Sequence, residues 1–143
     1  MTKEVDEEVA YVPRHELEGS GVLERGFRAD PDHVTYRTLV EHASFDRRAA
    51  LEEDPSRKQL IPYVVVTDGQ KVLTLRRKEA QTEERLHHKS SFGVGGHVNP
   101  DAASREDAGD VLEGGMLREL YEELFVESVP TYSYRGTLND DSN

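Results

Sequence analysis

Along this chain of 143 residues, the pattern of hydrophobic and polar positions changes character near residue 58. Before that point it is polar and broken. Val9-Ala10-Tyr11-Val12-Pro13 fits a short strand, while residues 16–21 and 28–32 read as turns. Residues 33–41 carry Val34, Tyr36, Leu39 and Val40, a spacing that suits a strand or a helix equally. Residues 45–53 read as an exposed helix that Pro55 ends. After residue 58 the order improves. Residues 60–67 are β-branched and apolar, and Asp68-Gly69 follows as a hairpin signal. The partner strand at 71–76 places Val72 and Thr74 on one face and Leu73 and Leu75 on the other, which predicts partial cover on both faces. Residues 90–98 are extended and glycine-rich, and 99–110 have a loop's composition. A helix is predicted from Leu117 to about Phe125, and a strand over 131–138 with Tyr132 and Tyr134 alternating. Strands, a helix and a further strand predict a mixed α/β sandwich with helices packed on a sheet.

Composition narrows the function classes. Twenty-nine acidic residues against eighteen basic ones leave a net charge of −11 and a pI near 5.0. Such a surface repels a phosphate backbone and an anionic bilayer, so no nucleic-acid polymer and no membrane is expected as a partner. A small anionic substrate needs a local positive charge. The apolar stretch at 60–66 is broken by Pro62 and far short of the roughly 20 residues of a spanning helix. The first eight residues are acidic where an export leader is basic and then apolar. The chain has no cysteine, which removes disulfides, thiolate zinc sites and thiol nucleophiles together. At 35% hydrophobic and 33% charged, it should build a modest core. These features predict a cytoplasmic, soluble, single domain.

The segment Arg118-Glu119-Leu120-Tyr121-Glu122-Glu123-Leu124 carries the chemistry. At helical spacing Leu117, Leu120, Tyr121 and Leu124 form an apolar stripe, and Glu119, Glu122 and Glu123 gather opposite. Like charges three and four residues apart each cost a few tenths of a kcal/mol, so a helix gains nothing by stacking them. A hard divalent cation reverses that sign, because Mg²⁺ takes carboxylate oxygens and keeps waters and substrate phosphates as its other ligands. Gly115, four residues before Glu119, lies on the same face. Gly114 and Gly115 each cost about 1 kcal/mol against alanine, a sacrifice that suits close approach of another backbone or a ligand. A plain solvated acidic face is the alternative.

Phe92-Gly93-Val94-Gly95-Gly96-His97-Val98, then a loop, then residues 118–126, resembles the Nudix box. That signature runs glycine, five residues, glutamate, seven residues, then Arg-Glu-aliphatic-x-Glu-Glu-x-Gly-aliphatic. Gly96, the Arg118-to-Glu123 core and Val126 match it. There are three departures. Counted back from Arg118, the box's first glutamate position holds Asp110; counted forward from Gly96 it falls on Ala102, so about eight extra residues intervene. Phe125 replaces the glycine near the helix end. Nudix domains usually continue for several strands beyond the box helix, whereas this sequence ends at Asn143.

The resemblance implies a Nudix-like α/β/α sandwich with a mixed sheet, incomplete at the C-terminus. Residues 1–58 are then an N-terminal extension packed on the domain, its order not fixed by its pattern, and 59–143 the Nudix-like core. It implies Glu119 and Glu123 as direct metal ligands, Glu122 as a further ligand or water-positioning carboxylate, and the Gly96 carbonyl as a main-chain ligand. Arg118 would hold one glutamate by a charge-assisted bond; Arg118, Glu122 and Glu123 form the implied catalytic set. The implied activity is hydrolysis of a nucleoside diphosphate-linked or related small diphosphate with Mg²⁺ or Mn²⁺, the metal supplying the missing positive charge. The rival is a catalytically silent Nudix-fold module that binds a nucleotide or a protein. A homodimer remains open.

Other signals are weaker. His87, His88 and His97 lack a metal-ligand spacing and read as exposed or hydrogen-bonded, or as substrate contacts. Arg76, Arg77 and Lys78 could meet an anion at a strand end, and Tyr63, Phe92 or Tyr121 could stack on a base. Solvation and packing are the alternatives. Residues 99–110, with four acids, are expected as a loop at the rim of the site, either a lid or a surface excursion.

Overall fold

The computed structural model describes residues 7–76, 90–91, 93–124 and 131–139. The strand at the middle of its three-stranded sheet comes from the polar N-terminal part. β1 (Glu8–Pro13) buries Val9, Ala10 and Val12 completely, so both of its faces are covered. It pairs antiparallel with β3 (Ser44–Arg47) on one edge and with β4 (Arg57–Gln59) further along. The Ala10 N–H also donates to the Val98 carbonyl at 2.7 Å, which ties this strand to the glycine-rich segment.

Several expectations are corrected here. The helix predicted over 45–53 is a strand followed by the short α2 (Arg48–Glu52). Phe45 gains a ladder position opposite Ala10, which outweighs local helical propensity. The strand predicted over 60–67 shrinks to β5 (Tyr63–Val65), and β4 ends at Gln59 before it. Pro62 explains the gap between them, since it lacks an N–H for a ladder and restrains the residue before it. Residues 33–41, open between strand and helix, form α1 (Val34–His42). Asp30 decides it: its carboxylate accepts the N–H groups of Thr35 at 3.3 Å and Tyr36 at 2.9 Å, serving the first turn from outside.

The hairpin at Asp68-Gly69 is present, with Gly69 at φ +98° and Leu73 N–H bound to the Val66 carbonyl at 2.8 Å. Its predicted outgoing strand shrinks to β6 (Leu75–Arg76), which pairs with β7 (Ser90–Ser91). β5 pairs instead with β8 (Gly93–Gly95), Tyr63 opposite Gly95 and Val65 opposite Gly93. The strand predicted over 131–138 is shorter: β9 (Gly136–Asn139) pairs with β2 (Gly26–Ala29). All of these described ladders are antiparallel.

The third helix, α3 (Val111–Glu123), starts six residues earlier than its apolar stripe suggested. Asp110 caps it, accepting the Glu113 N–H at 2.8 Å. Residues 99–110, expected as a rim loop, hold a 3-10 turn (Pro100–Ser104) whose Ala102 is buried against α3. Ala10, Val12, Leu17 and Leu60 share one core cluster with Val98, Ala102 and Leu112, and the half-buried Tyr36, Leu39 and Val40 of α1 pack against it. The boundary expected at residue 58 thus lies inside β4, and residues on both sides of it fill the same core. Among the described residues, no helix is long and apolar enough to cross a membrane.

Candidate metal and phosphate site on α3

The two glycines of α3 have a packing cause. Both are buried, and a Cβ on Gly114 would strike the Ala102 carbonyl oxygen. A Cβ on Gly115 would sit 2.6 Å from a Val98 methyl. The helix therefore lies with its backbone directly on the segment that follows β8. One turn further on, a Cβ on Gly96 would fall on the Glu119 carboxyl group. The structure thus brings together Gly96 and Glu119, two residues proposed from opposite ends of the motif.

Burial raises the Glu119 carboxyl above the ordinary carboxylate range. Glu122 raises it further, Arg118 offsets part of this, and Glu123 and Glu7 add smaller upward pushes. Three other carboxylates thus act on Glu119. Glu7, just before β1, is a participant that sequence reasoning missed; nothing in its local pattern marks it. Arg118 does meet a glutamate: its Nε is 3.1 Å from Glu122 Oε1. Both partners are partly exposed, so this pair contributes little to stability. Among the described residues no acceptor meets the buried Arg118 Nη1. Glu123 is exposed. Among the described residues, no group of three or more histidine, aspartate or glutamate side chains is already gathered to hold a metal ion.

Of the weaker candidates, His97 is half-buried, its imidazole pushed down to about 4 by burial and then by Arg48, so it is neutral at physiological pH. Tyr63 is 52% exposed, with its ring over Gly93 and Gly95. Tyr121 is half-buried, with the Arg105 guanidinium 5.5 Å above its ring. His87, His88, Arg77, Lys78, Phe92, Phe125 and Val126 lie outside the described residues, as does the Arg76 side chain.

A second cluster was not anticipated. The Tyr36 hydroxyl donates to the Asp110 carboxylate, 2.8 and 2.9 Å from its two oxygens, and the Tyr134 hydroxyl donates to Asp30 at 2.8 Å. Tyr132 donates to Glu113 at 2.8 Å. The tyrosine alternation that predicted a strand instead places two phenols on carboxylates just before β9.

No protein-family model matches the chain. Protein YmaB of Bacillus subtilis (strain 168) is 33% identical over 144 residues, a match spanning 97% of this chain and 69% of YmaB. The crystal structure of Tm1382, a protein provisionally described as a Nudix hydrolase, superposes with a TM-score of 0.72 at 28% identity, over 96% of this chain and 68% of that one. This chain belongs to the Nudix family. Its mixed α/β architecture is Nudix-like, and likeness to a Nudix hydrolase supports a general hydrolase function. The Glu119 and Gly96 contact is one of the points at which α3 meets the segment that follows β8.

Proposed function

We propose that this protein is a Nudix hydrolase that cuts a small diphosphate compound, such as a nucleoside diphosphate derivative, with the help of Mg²⁺ or Mn²⁺. The observation that carries this reading is the seating of the Glu119 carboxyl on the side-chain-free Gly96, with Glu122 and Glu123 raising its proton affinity. The donor set fits a hard dication: Glu119, Glu123, Glu122 and the Gly96 carbonyl are all oxygen donors. Such an ion, when bound, neutralises the leaving phosphate and lowers the pKa of an attacking water.

The chain's own residues prepare that chemistry. Burial and crowding raise the proton affinity of the Glu119 carboxyl, and a cation bound in the proton's place would relieve the same concentration of negative charge. Arg118 steadies Glu122 at 3.1 Å, leaving it available as a ligand or a water-positioning group. Gly96 keeps the approach to Glu119 free of a side chain.

A second reading, a catalytically silent Nudix module, draws on the absence of a preassembled carboxylate trio among the described residues. One experiment separates the two. The purified protein is assayed with Mg²⁺ or Mn²⁺ against a panel of nucleoside diphosphate derivatives, beside Glu119→Gln and Glu123→Gln. The hydrolase reading expects phosphate-bond cleavage that both variants reduce by orders of magnitude. Turnover of none of the panel, or turnover that survives both substitutions, sinks it.

A further inference from the structure

α3 lies close on the segment that follows β8. Gly114 meets the Ala102 carbonyl and Gly115 meets Val98, so at two successive positions the helix sets backbone rather than side chains against that segment. Polar groups at the other end of the helix supply a firm stop. Asp110 does two things at once: its Oδ1 takes the Glu113 N–H at 2.8 Å as the helix cap, and both its oxygens face the Tyr36 hydroxyl. Tyr36 is in turn held. Its own N–H is bound by Asp30 at 2.9 Å, and Asp30, only 7% exposed, also accepts the Tyr134 hydroxyl. The Tyr36 and Tyr134 rings pack at 4.7 Å, with His33 against Tyr134 at 5.0 Å. A phenol fixed at its backbone and at its ring thus grips the first turn of the helix whose last turn carries the glutamates.

We propose that Tyr36 is a positioning residue: through Asp110 it sets where α3 sits along the glycine strand, and so brings the Glu119 carboxylate onto Gly96. Its position on α1, far from the box in sequence, makes the N-terminal part of the chain a component of the site's geometry. Burial and the Asp110 carboxylate both raise the phenol's pKa, so it remains a proton donor throughout the physiological range. Counted back from Arg118, Asp110 stands where the Nudix box has its first glutamate, and here it serves as both cap and anchor.

The inference uses the hydrolase reading for one of its two readouts only. Two variants test it: Tyr36→Phe removes the hydroxyl, and Asp110→Ser keeps a capping oxygen while withdrawing the anchor. Crystal structures of both, compared with the unmodified protein, are expected to show Glu119 displaced from Gly96. Hydrolysis at saturating substrate should fall on the order of tenfold or more, since misplacing a reacting group by about 1 Å costs about 100-fold. If Tyr36→Phe melts lower but keeps Glu119 on Gly96 and keeps full turnover, Tyr36 is merely structural and the inference is wrong. Should Tyr36→Phe fail to fold, Asp110→Ser decides by the same two criteria. If the unmodified protein hydrolyses no diphosphate, the function proposed above fails. The position of Glu119 in the variant crystals then still decides the role of Tyr36.

Discussion

At the scale of single residues, Glu119 and Gly96 form the most informative pair. The carboxyl is raised above its ordinary value mainly by burial, then by Glu122. In the unfolded chain it titrates near the ordinary glutamate value of about 4.3. The folded state therefore keeps its proton to higher pH, and the stability this group contributes in acid is lost as pH rises through the window between the two values. Glu119→Gln should consequently melt higher than the metal-free parent at neutral pH, and that advantage should vanish in acid below the carboxylate range. Melting curves across pH 3 to 8 check this, and a variant less stable at neutral pH would contradict it. Asp46 runs the other way, held low by its bond to Arg57, so its contribution is lost on acidification. Gly96→Ala gives a complementary test. The atom its methyl would meet is the tip of a flexible side chain, so Glu119 can swing away at small cost. We expect nearly unchanged metal-free stability with loss of hydrolysis and of Mg²⁺-induced stabilisation. A variant that unfolds, or one that still responds fully to Mg²⁺, would show that the carboxylate's seat is not the site.

At the scale of elements, the legible parts were those whose signal is local. The glutamates of α3 share a face because helical spacing puts them there, and the glycine pair marks a close approach through its helix-propensity cost alone. The Asp110 anchor was not legible, because Tyr36 is 74 residues away and nothing near either residue announces the other. Residues 45–53 misled for the opposite reason: their local pattern favours a helix, yet β1 offers Phe45 a ladder position that only the tertiary structure reveals. The tyrosines at 132 and 134 alternate as a strand would, but they do so to reach two different carboxylates, Glu113 and Asp30. The same conflict between local preference and packing yields a stability prediction. By propensity alone Gly114→Ala gains about 1 kcal/mol in a helix. Here the new methyl meets backbone, the Ala102 carbonyl, which cannot rotate out of the way. Overpacking costs about 1–3 kcal/mol, so the variant should be destabilised despite its better propensity. Urea unfolding of Gly114→Ala decides between them, and a stabilised variant would mean that the 3-10 turn at Pro100–Ser104 yields freely.

At the scale of the whole molecule, charge offers a way to separate a bound ion from a diffuse ion atmosphere. A net charge of −11 on a chain of this size makes the compact state repel itself, so added salt of any kind should raise its melting temperature. That general effect follows ionic strength and grows as the Debye length falls to about 10 Å near 0.1 M. An ion held by Glu119 and its neighbours obeys a different law: it stabilises by mass action, in proportion to the logarithm of its concentration above its dissociation constant. Mg²⁺ and Na⁺ compared at equal ionic strength should therefore diverge, with Mg²⁺ giving the larger rise. The excess should disappear in Glu119→Gln and Glu123→Gln, because each removes a charged oxygen from the set, while the sodium response stays close to that of the parent. Glu16 and Glu18 provide the control, since they are acidic residues outside the proposed ligand set, and their conversion to glutamine should leave the excess intact. Coincident Mg²⁺ and Na⁺ curves in the unmodified protein would reduce the glutamate face of α3 to one more part of an acidic surface, and the carboxylate crowding around Glu119 would then be relieved by solvent ions alone.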